Sequence, residues 1–230
     1  MALCYARPVT LSRALPQALR WLPLVVLLGG VTALAEAERP TFEPDLAAAE
    51  NLTLAGTTWS RDEPTHVVHL RQLDAAERLR YIRGATGVAV DPFATPPGET
   101  PRYLTFLIVI ENRNDTLLSF NALDCWLTTN RQQIETPLGL TDLSFDYQIM
   151  GLAIPAAYER VSPVMLDGTR VLAPGDKLSG LLVYHVVDER TRRFHLDVEL
   201  TPPSGDELRM RAPYRRVKPP ANGETVGNPS

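Results

Sequence analysis

Residues 102–111 have the sequence RYLTFLIVIE, which predicts a strand at the centre of a β-sheet. Every second position from Leu104 to Ile110 is a large apolar residue, and the positions between them include Leu107 and Val109. Successive side chains of a strand point to opposite faces, so both faces of this strand carry apolar groups. We therefore expect other parts of the protein to cover it on both sides.

Other β-rich segments surround this strand. Residues 194–200 alternate strictly between apolar and polar side chains, which is typical of a strand with one exposed face. Residues 178–187 are largely apolar and follow the turn residues Pro174 and Gly175. Shorter strands are predicted at residues 52–58, 65–71, 117–120, 123–129, 161–166 and 207–212.

These strands are separated by short polar turns, which indicates antiparallel pairing, since parallel strands need long crossover connections. The sequence thus predicts a mainly β protein, an immunoglobulin-like antiparallel β-sandwich with one or two short helices. One helix is predicted at residues 74–84, where Asp74 can cap its start and Gly84 can end it.

Residues 1–35 are expected to be a secretory signal peptide. Three arginines and no acidic residue accompany the apolar run Trp21–Leu28, and small residues precede a cleavage site after Ala35. We expect a periplasmic or extracellular protein with no membrane-spanning segment left after cleavage. The alternative is an uncleaved anchor, but only 15 residues separate Arg20 from Glu36, whereas about 20 are needed to span a bilayer.

The rest of the chain divides by composition into three parts. Residues 36–50 contain prolines and alanines with little amphipathic pattern and are predicted to be an N-terminal arm. Residues 51–213 hold the predicted strands and form the β-sandwich domain. Residues 214–230 have few apolar residues to bury and are predicted to be a disordered tail.

The charge of the mature chain disfavours nucleic acid as a partner. Residues 1–35 carry three arginines and no acid, so their removal changes the net charge from −4 to −7. Nucleic-acid binding normally requires a basic surface. The alanine-, arginine- and proline-rich composition suggests a bacterial source.

Three segments carry a family resemblance: residues 103–112, residues 115–120, and the Pro-Gly turn and strand at 172–184. Over residues 102–212 the chain resembles the telokin-like, immunoglobulin-fold domains found in many exported bacterial proteins of unknown function. The resemblance implies a sandwich fold and an accessory or binding role in the cell envelope, and it supplies no catalytic residues.

No arrangement of residues predicts catalysis, a metal site or a cofactor. His66 and His69 lie three apart in a predicted strand, where they face opposite sides and do not converge on a metal. The four histidines are expected to be exposed strand residues. The chain contains no Gly-x-Ser-x-Gly nucleophile elbow, and we expect it not to be an enzyme.

Cys125 is the single cysteine of the mature chain, because Cys4 leaves with the signal peptide. Two interpretations stay open. It is a buried structural thiol, or it is a free thiol that forms an intermolecular disulfide in an oxidising compartment.

The long connection at residues 138–163 contains more apolar residues than a solvent-exposed loop without a packing or binding role would carry. Phe145, Tyr147, Met150 and Tyr158 are of types enriched in interface cores. They either close one end of the β-core as a short helix or hairpin, or form the surface for a protein partner.

The predicted function is therefore that of an exported, non-catalytic binding or accessory protein of the bacterial envelope that contacts another protein. The alternatives are a hydrolase of envelope polymers, which needs a cleft with catalytic side chains, and a carrier of a small apolar ligand, which needs a cavity between the sheets. The sequence fixes no oligomeric state.

Overall fold

The computed structural model describes residues 42–95, 99–151 and 153–217. The predicted signal peptide at 1–35 and residues 218–230 of the predicted tail lie outside the described residues. The strands are β1 (Phe42–Pro44), β2 (Thr53–Ala55), β3 (Thr58–Asp62), β4 (His66–Gln72), β5 (Tyr103–Asn112), β6 (Leu118–Thr129), β7 (Ile134–Glu135), β8 (Thr169–Leu172), β9 (Lys177–His185), β10 (Arg193–Thr201) and β11 (Leu208–Arg216). The helices are α1 (Ala75–Thr86), α2 (Leu140–Ile149) and α3 (Ile154–Val161).

The strands form two sheets in which all named strand pairs are antiparallel. Sheet A has the order β1-β11-β10-β6, and both β7 and β8 pair with the other edge of β6. Sheet B has the order β2-β3-β4-β5-β9. The prediction of a mainly β antiparallel sandwich is confirmed.

The two sheets pack face to face through large aromatic side chains. Phe106 of sheet B lies with its ring centroid 5.4 Å from Tyr214 and 6.1 Å from Phe194 of sheet A. Hydrogen bonds also join the sheets; among them, Trp59 Nε1 donates to Pro213 O at 3.2 Å, and the Tyr184 hydroxyl donates to Cys125 O at 3.0 Å. Large rings and interdigitated branched residues thus fill the space between the sheets.

The outer face of sheet B is covered by a second apolar cluster. Ile82 of α1 and Leu143 and Tyr147 of α2 pack with Leu181 and Val183 of β9. β5 is therefore buried from both sides, as its sequence predicts. The structure describes three helices rather than one or two, because the long connection folds into both α2 and α3.

Helix α1 begins at the predicted cap. The Asp74 side chain accepts a hydrogen bond from the Glu77 backbone N–H at 2.8 Å, and the Glu77 carboxylate accepts one from the Asp74 backbone N–H at 3.2 Å. The helix ends at Gly87 rather than Gly84. Gly87 has φ of +73°, a left-handed conformation that favours glycine, whereas Gly84 lies within the helix.

Three predicted strands differ from the structure. Residues 52–58 form two strands joined by a turn at Gly56, which has φ of +62°. The strands predicted at residues 117–120 and 123–129 are parts of the single strand β6, which begins at Leu118 and whose register with β10 shifts between Val198 and Leu200. Such a bulge interrupts the alternation that defines a strand in the sequence.

The strand predicted at residues 161–166 was wrong. This segment is the end of α3 and a loop that lies against the free edge of β9. The Leu181 N–H donates to Val164 O at 2.8 Å, and the Leu166 N–H donates to Leu181 O at 3.0 Å. Its apolar residues are buried because they cover a sheet edge, which gives a strand-like composition without a strand.

The domain boundaries also differ from those predicted. Phe42–Pro44, placed in the arm by the sequence, pairs with β11, and the Phe42 ring packs against Phe194 at 4.8 Å. At the other end β11 continues to Arg216, and Tyr214 is fully buried. Both sheets and both apolar clusters lie within residues 42–217, so a chain that starts at Glu36 contains the complete described core.

Among residues 42–95, 99–151 and 153–217, no helix has the length and apolar character needed to cross a membrane.

The hydrogen bond from Tyr184 to Cys125 gives a test of how the sheets are held together. Tyr184→Phe removes the donor of this buried hydrogen bond, which should lower the free energy of unfolding by about 1 to 2 kcal/mol. Tyr214→Phe is the matched control, because the equally buried Tyr214 hydroxyl has no hydrogen-bond partner in the part of the chain that the structure describes. Its removal should be neutral or stabilising. Urea denaturation measures the free energy of unfolding of both variants. Equal decreases in the two would contradict the stabilising role of the Tyr184 hydrogen bond.

Candidate binding groove

An open groove of about 430 Å³ lies at one end of sheet B. Its floor is formed where β5 begins and β9 ends, because Tyr103 and His185 are direct cross-strand partners. The rings of these two residues stack, with centroids 6.1 Å apart and planes 20° apart. The last turn of α2 forms the opposite wall through Asp146, Ile149 and Met150.

Asp146 ties α2 to the sheet at the groove. Its Oδ2 accepts a hydrogen bond from the Tyr103 hydroxyl at 3.0 Å and another from His185 Nε2 at 2.9 Å. Two strands and one helix thus converge on one carboxylate oxygen. The other ring nitrogen of His185, Nδ1, makes no hydrogen bond within the described residues.

Burial raises the pKa of the Tyr103 hydroxyl far above its usual value, and the hydrogen bond to Asp146 and the negative charge of that residue add to the effect. The hydroxyl therefore keeps its proton throughout the physiological pH range. Tyr103 acts as a fixed donor to Asp146 rather than as an acid or a nucleophile.

Two apolar side chains stand exposed on α2 beside the groove. Phe145 is 61% exposed and Ile149 is 84% exposed. They lie four residues apart, so they occupy the same face of the helix. Leu143 and Tyr147 of the same helix face the opposite way and are buried.

The structure separates the four residues proposed for a partner surface. Phe145 is exposed and Met150 is half-buried at the groove. Tyr158 is half-buried on α3 and does not line the groove. Tyr147 is only 2% exposed and packs in the core, so its assignment to a surface was wrong. The helical period explains this, because Tyr147 lies two positions from Phe145 and therefore on another face.

Sequence reasoning missed Ile149 and the trio of Tyr103, Asp146 and His185. Ile149 had a usable signal, since it follows Phe145 by four residues in a segment that proved helical. The trio had no signal in the sequence. Asp146 is 43 residues from Tyr103 and 39 from His185 along the chain, and only the tertiary structure brings the three together.

Cys125 is buried, with 0% of its surface exposed. Burial raises the pKa of its thiol far above the usual value, so the reactive thiolate is disfavoured. The structure favours the buried structural thiol over the intermolecular disulfide.

The histidines do not share one environment. His69 and His185 are exposed, as predicted, and His195 is partly exposed. His66 is only 3% exposed, so the prediction was wrong for this residue. Its burial on the opposite side of β4 from His69 agrees with the argument that the two rings do not converge. Within the described residues, no group of three or more metal-ligating side chains is close enough to hold a metal ion.

Comparisons with known proteins give no family. Neither a protein-family model nor a curated protein matches the chain. Among solved structures, the yjhA protein from Bacillus subtilis is 15% identical with a TM-score of 0.33, covering 62% of this chain and 77% of that one. A FixG-related protein from Vibrio parahaemolyticus is 10% identical with a TM-score of 0.34, covering 68% of this chain and all of that one. These likenesses are too distant to assign a function.

The role of Asp146 can be tested by Asp146→Ala. The substitution removes both hydrogen bonds and should lower the free energy of unfolding by about 1 to 2 kcal/mol, and it should speed amide hydrogen exchange in α2. Gln148→Ala is the control, since Gln148 is exposed on the same helix. If Asp146→Ala and Gln148→Ala had the same free energy of unfolding and the same exchange rates in α2, Asp146 would not be what holds this helix to the sheet.

His66 should make stability depend on pH. Burial, and secondarily the charge of Arg61, lowers its pKa in the folded state from the usual 6.5. The unfolded chain therefore binds this proton more readily, and the free energy of unfolding should decrease as the pH falls below about 6.5. His66→Asn should flatten this decrease, as measured by urea denaturation at several pH values. His69→Asn, a change of the exposed histidine on the same strand, is the control, and an equal flattening by both would refute the assignment.

Proposed function

We propose that this domain is a non-catalytic binding module that works outside the cytoplasm and recognises a protein partner through α2 and the adjoining groove. One observation carries the proposal: Phe145 and Ile149 stand exposed one helical turn apart, next to the groove. Burying two such side chains in an interface would stabilise a complex by about 3 to 5 kcal/mol.

The groove indicates what such a partner presents. Met150 and Ile149 offer apolar contacts, and the unbonded Nδ1 of His185 is an acceptor for a partner N–H or O–H group when Nε2 donates to Asp146. A partner segment with one apolar side chain flanked by a hydrogen-bond donor fits both features. The stacking of Tyr103 on His185 and the bonds to Asp146 hold these groups in place before binding, which lowers the entropic cost of association.

The proposed extracytoplasmic location depends on the signal peptide predicted at residues 1–35. A telokin-like, immunoglobulin-fold relationship would agree with it, because that family is found in exported proteins. Both are supported by sequence features, whereas the exposure of Phe145 and Ile149 is a feature of the structure that does not depend on them.

A hydrolase is the second candidate, because the pairing of His185 with Asp146 in an open groove is the arrangement of a general base. Among the described residues that line the groove, Asp146 is the one carboxylate and there is no serine or cysteine, and the Tyr103 hydroxyl is already donated to Asp146. A carrier of a small apolar ligand is less well supported, since aromatic rings fill the space between the sheets. The binding function therefore has the stronger support.

The proposal is tested with the double variant Phe145→Asp and Ile149→Asp. Both side chains are exposed, so the fold should persist, whereas burying two carboxylates in an apolar interface should weaken partner binding at least about a hundredfold. Photo-crosslinking from position 149 identifies the partner, and titration of the purified partner then measures affinity.

The matched control is the double variant Leu117→Asp and Val171→Asp, which places the same charges on two exposed apolar residues, one just before β6 and one in β8. It should bind the partner as the unchanged protein does. Equal loss of affinity in both double variants, or in neither, would refute the assignment of the surface to α2.

A further inference from the structure

Six arginines meet at the end of the sandwich where β10 begins and β11 ends. Arg193 and Arg215 are direct cross-strand partners, and the Arg216 backbone N–H donates to Arg192 O at 2.8 Å. The turn after β6 joins them, because Asn130 Oδ1 accepts from the Arg192 backbone at 3.1 Å. We call this surface the arginine end; its members are Arg131, Arg190, Arg192, Arg193, Arg215 and Arg216.

The arginine end is positive although the chain as a whole is negative. Its acidic neighbours are Glu43, Asp45, Asp188 and Glu189, so six guanidinium groups stand against four carboxylates, a net charge of +2. Three of the arginines have ion-pair partners: Arg131 with Asp188, Arg193 with Asp45, and Arg215 with Glu43. The exposed guanidinium groups of Arg190 and Arg192 have none within the described residues.

The loop that carries these two arginines is held rigidly. Asp188 accepts hydrogen bonds from the Arg190 and Thr191 backbones at 2.7 and 2.9 Å. Arg216 donates from Nε to Thr191 O at 2.7 Å and from Nη2 to Asp188 O at 3.1 Å. The charges are thus presented from a fixed backbone, and little ordering is required when they bind an anion.

Ion pairs and hydrogen bonds within the fold account for four of the six arginines, but not for Arg190 and Arg192. Like charges on neighbouring strand positions, such as Arg193 and Arg215, are mildly destabilising. Arg190 and Arg192 are exposed, and their guanidinium groups have no hydrogen-bond or ion-pair partner among the described residues. A basic cluster of this size is the usual feature of a surface that binds phosphate groups.

We propose that the arginine end docks on the surface of an anionic lipid bilayer. The described chain begins at Phe42, which pairs with Arg216, and continues past Val217, so both connections to the remaining sequence start at this end. The other surfaces carry a net negative charge, so an anionic bilayer would repel them. The molecule would therefore bind with the arginine end facing the bilayer.

The test measures binding of the chain Glu36–Ser230 to vesicles of phosphatidylglycerol and phosphatidylcholine in equal parts. We expect sedimentation with these vesicles at low salt, none with pure phosphatidylcholine, and release at high salt. The double variant Arg190→Ala and Arg192→Ala should weaken binding about thirtyfold. Arg80→Ala with Arg83→Ala, which removes two exposed arginines from α1, is the charge-matched control and should bind nearly as the unchanged chain does.

Four results would overturn the proposal. They are no binding to the anionic vesicles, equal binding to pure phosphatidylcholine, equal weakening by both double variants, and retention on single-stranded DNA without any on vesicles. The last would assign the surface to a nucleic acid. Circular dichroism melting of each variant confirms that a loss of binding is not a loss of fold.

Discussion

The structure depends on the need to bury both faces of β5. Its inner face places Phe106 against the rings of sheet A, and its outer face carries Thr105 and Leu107 beneath the helices. A two-sheet sandwich covers only one face of each sheet. The outer face of sheet B therefore needs a third layer, and α1 and α2 supply it. Apolar burial of this extent is the main favourable contribution to folding.

The third layer explains why one helix serves both the core and a surface. Leu143 and Tyr147 of α2 close the outer cluster, while Phe145 and Ile149 on another side of the same helix stay exposed. The hydrogen bonds to Asp146 fix the helix at one position on the sheet. Because α2 ends beside the first residue of β5, its last turn leaves an open groove rather than a sealed contact.

Much of the fold was accessible from local patterns. The alternation at residues 194–200, the apolar run of β5 and the Asp74 cap were read correctly because each depends on neighbours in the sequence. The failures share one cause, since residues 161–166 and Phe42 owe their conformation to distant strands that they cover or pair with. Tyr147 was misplaced for lack of a helical assignment that would have fixed the direction of its side chain.

The sequence by itself determined the class of fold, because strand periodicity and turn chemistry are local properties of the chain. It also determined the overall negative charge, but not where charge of either sign accumulates. Only the tertiary structure decided that Tyr103, Asp146 and His185 share one groove and that six arginines meet at one end. Those arrangements arise from the register of strands that are far apart in sequence, and register is set by the packing of the whole core.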